Sequence, residues 1–184
     1  MNITPGALLF PLVVVAAPMP MAVAADYLSL TQAQRTVFPE ASEFRELPLL
    51  LTAMQRAQIL SLAGAQPPHG ALRVWVAVRG KDVVGHFLMD EVVGRQDFID
   101  YALGINPDGS LRTLEIMSYR ESHGAEVRNN AWRRQFARRS SLQQLRFQID
   151  IKNVAGATMS CEHVTAGVRM LRALWQTVLQ PAGQ

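Results

Sequence analysis

Val154-Ala155-Gly156-Ala157-Thr158-Met159-Ser160 is the stretch of this sequence whose residue types could do chemistry. It runs into a periodic apolar segment, Ser160 to Leu179, that reads as a long terminal helix. The first N–H groups of a helix have no internal partner and the macrodipole is positive there, so an anion held at Thr158 would meet donors and favourable charge. Gly156 permits a turn that a Cβ would forbid, Ala155 and Ala157 leave room beside it, and Thr158 presents one hydroxyl. A phosphate suits this arrangement. On spacing alone, a plain N-cap role for Thr158 is the alternative.

Other chemistry-bearing residues do not assemble in the sequence. Cys161 and His163 are two apart on the expected helix and point to different faces, so they cannot work as a nucleophile and its base. Cys161 is the one cysteine, which excludes an intramolecular disulfide, a CxxC redox pair and a Cys-rich zinc site. His69, His86, His123 and His163 are scattered without the paired spacing of a metal site. No catalytic nucleophile and no metal are expected.

The segment Ala155 to Ser160, followed by a Val-rich helix, resembles the C-terminal signature of the FMN-binding domain family. That domain occurs in the C and G subunits of sodium-pumping and Rnf-type redox complexes and in related extracytoplasmic flavoproteins. Tyr101-Ala102-Leu103-Gly104-Ile105 with Asp108-Gly109 and Leu114-Glu115-Ile116 is similar to the family's paired strands. Glu121-Ser122-His123-Gly124, followed by Trp132 and Phe136, resembles its Glu-Thr-Pro-Gly loop and aromatic helix. The resemblance extends over about residues 71–178. It implies that Thr158 is esterified through its hydroxyl to the phosphate of FMN by a separate magnesium-dependent flavin transferase that uses FAD. Cofactor contacts are expected at Gly156, Ala157, Ala155, Met159 and Ser160, with Glu121, His123 and Gly124 as candidate flavin-pocket groups and Tyr119 a candidate for the ring pocket or the core. Trp132 and Phe136 are candidates either for the ring pocket or for the core. The chain departs from the family pattern in three places: Ala155 stands where a Ser or Thr is usual, Lys152 where an acid is frequent, and Ser122-His123 where the loop has Thr-Pro.

The elements that must position these residues follow from periodicity and turn chemistry. Leu30 to Phe38 reads as a helix ended by Pro39, and Glu43 to Pro48 as extended. Thr52 caps a helix through Leu62, with Ile59, Leu60 and Leu62 inward and Gly64 as its stop. A meander of Ala71–Val78, Asp82–Glu91, Asp97–Ile105 and Ser110–Tyr119 is separated by turns at Gly80, Gly94 and Asn106-Pro107-Asp108-Gly109. In the last strand, Leu111, Thr113, Glu115 and Met117 are expected on one face and Leu114, Ile116 and Ser118 on the other. Val127 to Arg138 reads as a helix and Leu145 to Ile151 as extended. On the terminal helix, Val164, Val168, Leu171, Leu174, Trp175 and Val178 form a core-facing stripe. The fold class is α+β: an antiparallel sheet meander packed against helices, with a long C-terminal helix.

With 49% hydrophobic and 18% charged residues, the 184-residue chain suits an ordinary globular domain and not a disordered one. A net charge of +3 is too small to imply nucleic-acid binding, and none is expected. The charge is nevertheless polarised. From Asp82 to Glu126 nine acids stand against three arginines, and from Arg128 to Lys152 seven bases stand against Asp150 alone. No ionisable side chain precedes Asp26, and Ala7 to Ala25 is apolar, with small residues at Ala22-Val23-Ala24-Ala25 that suit signal peptidase. Residues 1–25 are therefore expected to be an export signal, or a retained anchor, ahead of a single domain over 26–184. The expected protein is a periplasmic or otherwise extracytoplasmic electron carrier, not a stand-alone enzyme. Its partners would be the flavin transferase and redox proteins, a membrane-bound electron-transfer complex among them. The alternatives are a flavin-free adaptor that binds through its basic helix, and a reductase with noncovalent FMN.

Overall fold

The structure is a computed structural model and describes residues 25–120 and 124–180. The expected signal segment, Ala25 apart, lies outside the described residues, as do Glu121 and His123. Six strands form one sheet in the order β1-β6-β5-β4-β3-β2, with every neighbouring pair antiparallel. They are β1 (Ala25–Asp26), β2 (Glu43–Glu46), β3 (Arg73–Arg79), β4 (Asp82–Val93), β5 (Phe98–Ile105) and β6 (Leu111–Tyr119). The β3–β6 meander matches its sequence signals because short turns join strands rich in Val, Ile, Leu and Phe.

Each face of the sheet buries a separate cluster. On one side α1 (Leu30–Val37) lays Ala33 and Val37, with the following Phe38, over Trp75, Ala77, Phe87, Ala102 and Met117. The other side carries the larger core, where α4 (Thr158–Leu174) and α2 (Ala53–Ala63) cover Val74, Leu88, Tyr101, Leu103, Leu114 and Ile116. The expected α4 stripe is buried from Val164 to Trp175, and Val178 is partly buried in a π-helical turn, Trp175–Leu179. This is the α+β meander with a long C-terminal helix that the sequence predicts.

Four local expectations are corrected. In β6, bulges on its pairing with β5 shift register at Gly104/Ile105 and Asp100/Tyr101. The extra residue returns Leu111 to the face of Leu114 and Ile116, instead of the face of Met117. Leu60, on α2, is exposed rather than inward, whereas Ile59 is fully buried. Residues 127–138 are not one helix: they break into 3-10 turns at Ala125–Arg128 and Arg134–Phe136 around a single α turn, α3 (Asn130–Arg133). Asn129 interrupts the run because its side chain accepts from Ala131 N at 2.8 Å, drawing the backbone out of helical register. Residues 145–151 are not extended either. Asp150 turns back on Arg146, accepting from its Nε at 2.7 Å and its backbone N at 3.1 Å, and the chain closes a compact loop with Gln148 at φ 63.

Candidate functional site

The N-terminus of α4 opens to solvent one residue after a tight turn. Gly156 adopts φ 85, which brings Val154 O and Ala157 N together at 3.1 Å and launches the helix at Thr158. Ala157 is the N-cap residue and supplies no side-chain cap, so the first-turn N–H donors lack the usual internal partner. Thr158 is the first residue of the helix and does not cap it. Its side chain is exposed, and its Oγ1 accepts from Asn153 Nδ2 at 3.1 Å. The polarity of this helix end favours an anion.

A cleft of about 340 Å³ lies here, lined by Arg95, Gly124, Gly156, Ala157, Thr158, Met159 and Ser160. Tyr119, at the end of β6, does not line it but packs behind Ser160. Tyr119 is buried and its Oη lies 3.1 Å from the buried Ser160 Oγ, joining the last residue of the strand to the first turn of α4. Gly124, at φ 92, packs so closely that a Cβ would collide with Tyr119 Oη and Ser160 Oγ. The structure therefore brings Tyr119, Gly124, Ala157, Thr158, Met159 and Ser160 to one place, with the exposed Ala155 and Gly156 on the approaching turn. Sequence reasoning missed three neighbours. Arg95, from the β4–β5 turn, carries no local signal of its role; Asn153 has only its position five before Thr158; Glu126 sits 3.7 Å from where a Gly156 Cβ would stand.

Other candidates resolve as structure. Trp132 and Phe136 are core residues, edge to face at 5.1 Å between ring centroids, and do not line the cleft. Trp132 Nε1 donates to Lys152 O at 2.8 Å, the partner a buried indole needs. Cys161 is buried, and burial pushes its thiol pKa up, the reverse of an activated nucleophile. His86 is buried and its Nδ1 accepts from Trp175 Nε1 at 3.1 Å. His163 pairs with Val93 O. A second concavity, about 360 Å³ between β4 and α4, contains none of the residues around Thr158. There Tyr101 Oη donates to Asp90 Oδ2 at 2.7 Å, and burial raises the Asp90 carboxyl pKa.

The basic run expected as a helical docking face is not one continuous helix. Arg133 pairs with Glu115 of β6 and donates to Leu114 O at 2.9 Å. The Arg128 guanidinium stacks 3.4 Å from the Tyr27 ring centre, and Arg146 pairs with Asp150. The Arg133–Glu115 pair joins the basic run to the acidic meander, while Arg134 and Arg138 are exposed.

Sheet, helix and cleft together define an α+β domain whose longest helix opens on a cleft with an exposed threonine hydroxyl. Residues 94–172 match the family model of the FMN-binding domain, and this match bears out the family resemblance read from the sequence. The chain is also similar to the G subunit of the Na(+)-translocating ferredoxin:NAD(+) oxidoreductase complex of Acetobacterium woodii. The two are 25% identical over 158 residues, covering 80% of this chain and 74% of the relative. Among the described residues no helix is long and apolar enough to cross a membrane.

Proposed function

We propose that this chain is an exported electron-transfer flavoprotein that holds FMN covalently, through a phosphoester on Thr158. The observation that carries the reading is the exposed Thr158 hydroxyl at the uncapped mouth of α4, beside the Gly156 turn and inside the cleft. The family match supports FMN as the cofactor, and the relative's place in an oxidoreductase complex supports an electron-carrying role with redox partner proteins. When bound, the flavin ring supplies the redox chemistry. The chain's own residues hold and screen it. Thr158 Oγ1 provides the point of attachment, and the first N–H groups of α4 offer donors to phosphate oxygens. Arg95 adds positive charge to the lining of the cleft, and Tyr119 braces Ser160 from behind. Glu121 and His123 remain proposed ring contacts. The uncharged segment Ala7–Ala25 is proposed as the signal that takes the domain to the extracytoplasmic side, where the flavin transferase acts.

Intact mass and in-gel flavin fluorescence after denaturation test this directly. The chain is co-expressed with a flavin transferase, and Thr158→Ala serves as the comparison. A fluorescent band with a one-FMN mass increment, absent from the variant, is expected. An unmodified mass alongside a labelled control substrate would sink the phosphoester reading. Yellow colour lost on denaturation would select noncovalent FMN.

A further inference from the structure

Lys152 occupies the place where the family often has an acid, yet in this fold residue 152 cannot serve Thr158. Its backbone is clamped from both sides. Lys152 N donates to Gln135 Oε1 at 2.8 Å, and Lys152 O accepts from Trp132 Nε1 at 2.8 Å and from Gln135 Nε2 at 3.2 Å. Its side chain turns back to Gln148, with Nζ donating to that carbonyl at 3.1 Å. The clamp is built from a fully buried indole, so it fixes where the chain leaves the core. The next residue out is Asn153, and its amide donates to Thr158 Oγ1 at 3.1 Å.

We propose that Asn153 is a positioning residue for attachment of the flavin, an inference that rests on the phosphoester reading above. An exposed threonine hydroxyl outside a cap samples several rotamers. The Asn153 amide occupies one lone pair of Oγ1 and selects one χ1 well, leaving the hydroxyl hydrogen and the other lone pair turned outward. In the transfer, Oγ1 bonds to the FMN-side phosphorus of FAD. The phosphorus–oxygen bond to AMP breaks, AMP leaves, and the hydroxyl proton passes to a base of the transferase or to water. No electrons are gained or lost. Holding the acceptor oxygen in one orientation before encounter raises the rate of this step without strengthening FAD binding. Trp132 and Gln135 act one step further back, by setting the register of Asn153.

Two measurements on the full chain test this, and Asn153 is exposed, so its replacement leaves the core intact. The first needs no flavin: the three-bond Hα–Hβ coupling of Thr158 in the unmodified protein. A single-rotamer value is expected in the wild type, an averaged value in Asn153→Ala, and a single-rotamer value again in Asn153→Asp, where the hydroxyl donates to the carboxylate. The second is the rate of FMN incorporation with purified transferase, Mg2+ and FAD, followed by intact mass. Asn153→Ala should lower kcat on the order of tenfold or more with KM for FAD unchanged. An unchanged coupling or an unchanged kcat in Asn153→Ala overturns the positioning role while the phosphoester reading stands. A wild-type chain that takes no FMN overturns both.

Discussion

Gly124 and Gly156 both border the Thr158 cleft in the left-handed region, but they are glycine for different reasons. At Gly156 a Cβ would meet only Glu126 Oε1 at 3.7 Å, so Gly156→Ala carries conformational strain alone, about 1 kcal/mol. At Gly124 the same methyl would also drive into Tyr119 Oη and Ser160 Oγ, which already lie 3.1 Å apart. Gly124→Ala should therefore cost more, about 2–4 kcal/mol. Denaturant unfolding of both variants checks the order; equal losses would show that the contact with Tyr119 and Ser160 relaxes freely. The Thr158 segment is legible in sequence because a helix mouth and its turn are local. Arg95 and Glu126 are not, because strand pairing and a short 3-10 turn deliver them from far along the chain.

Local signals also decide which elements the sequence predicts well. Thr52 and Gln55 close a reciprocal capping box, with Thr52 Oγ1 accepting from Gln55 N at 3.2 Å and Gln55 Oε1 from Thr52 N at 2.9 Å. Thr52→Ala should destabilise the protein by about 1 kcal/mol in thermal or chemical unfolding, and Thr52→Asp should restore most of that. The same locality makes α1, α2 and the four-strand meander readable. Residues 125–152 lack it. Leu111 exchanges backbone hydrogen bonds with Arg138 and Arg139, and Trp132 and Gln135 hold Lys152, so distant partners set the conformation of this stretch. Its helical pattern reflects burial at Val127, Trp132 and Phe136, not continuous helix. The β6 face reversal has a similar origin, since a bulge belongs to a strand pair and leaves no mark in the alternation of one strand.

For the molecule as a whole, acid sensitivity should centre on His86. Burial lowers its pKa below 6.5, and the Trp175 N–H occupies Nδ1, so the fold holds the neutral ring. The unfolded chain then binds more protons as pH falls through about 6.5, and stability declines from there down to the lowered folded value. Above 6.5 this contribution is constant. His86→Gln, whose carbonyl can accept the same indole N–H, should flatten that part of a melting-temperature profile between about pH 8 and 5. A slope unchanged from wild type would assign the effect to other groups. The acidic meander and basic run, so distinct in the sequence, meet at the Arg133–Glu115 pair.

The two-residue strand β1 sets one further relation. Ala25 lies in register with Tyr119, whose hydroxyl reaches Ser160 in the first turn of α4. Whatever is joined ahead of Ala25 therefore enters the domain at the corner where Thr158 stands. A tether attached there behaves as a short leash: rotating the domain about it sweeps the opposite sheet edge, β2, through a wide arc while the Thr158 corner stays near the pivot.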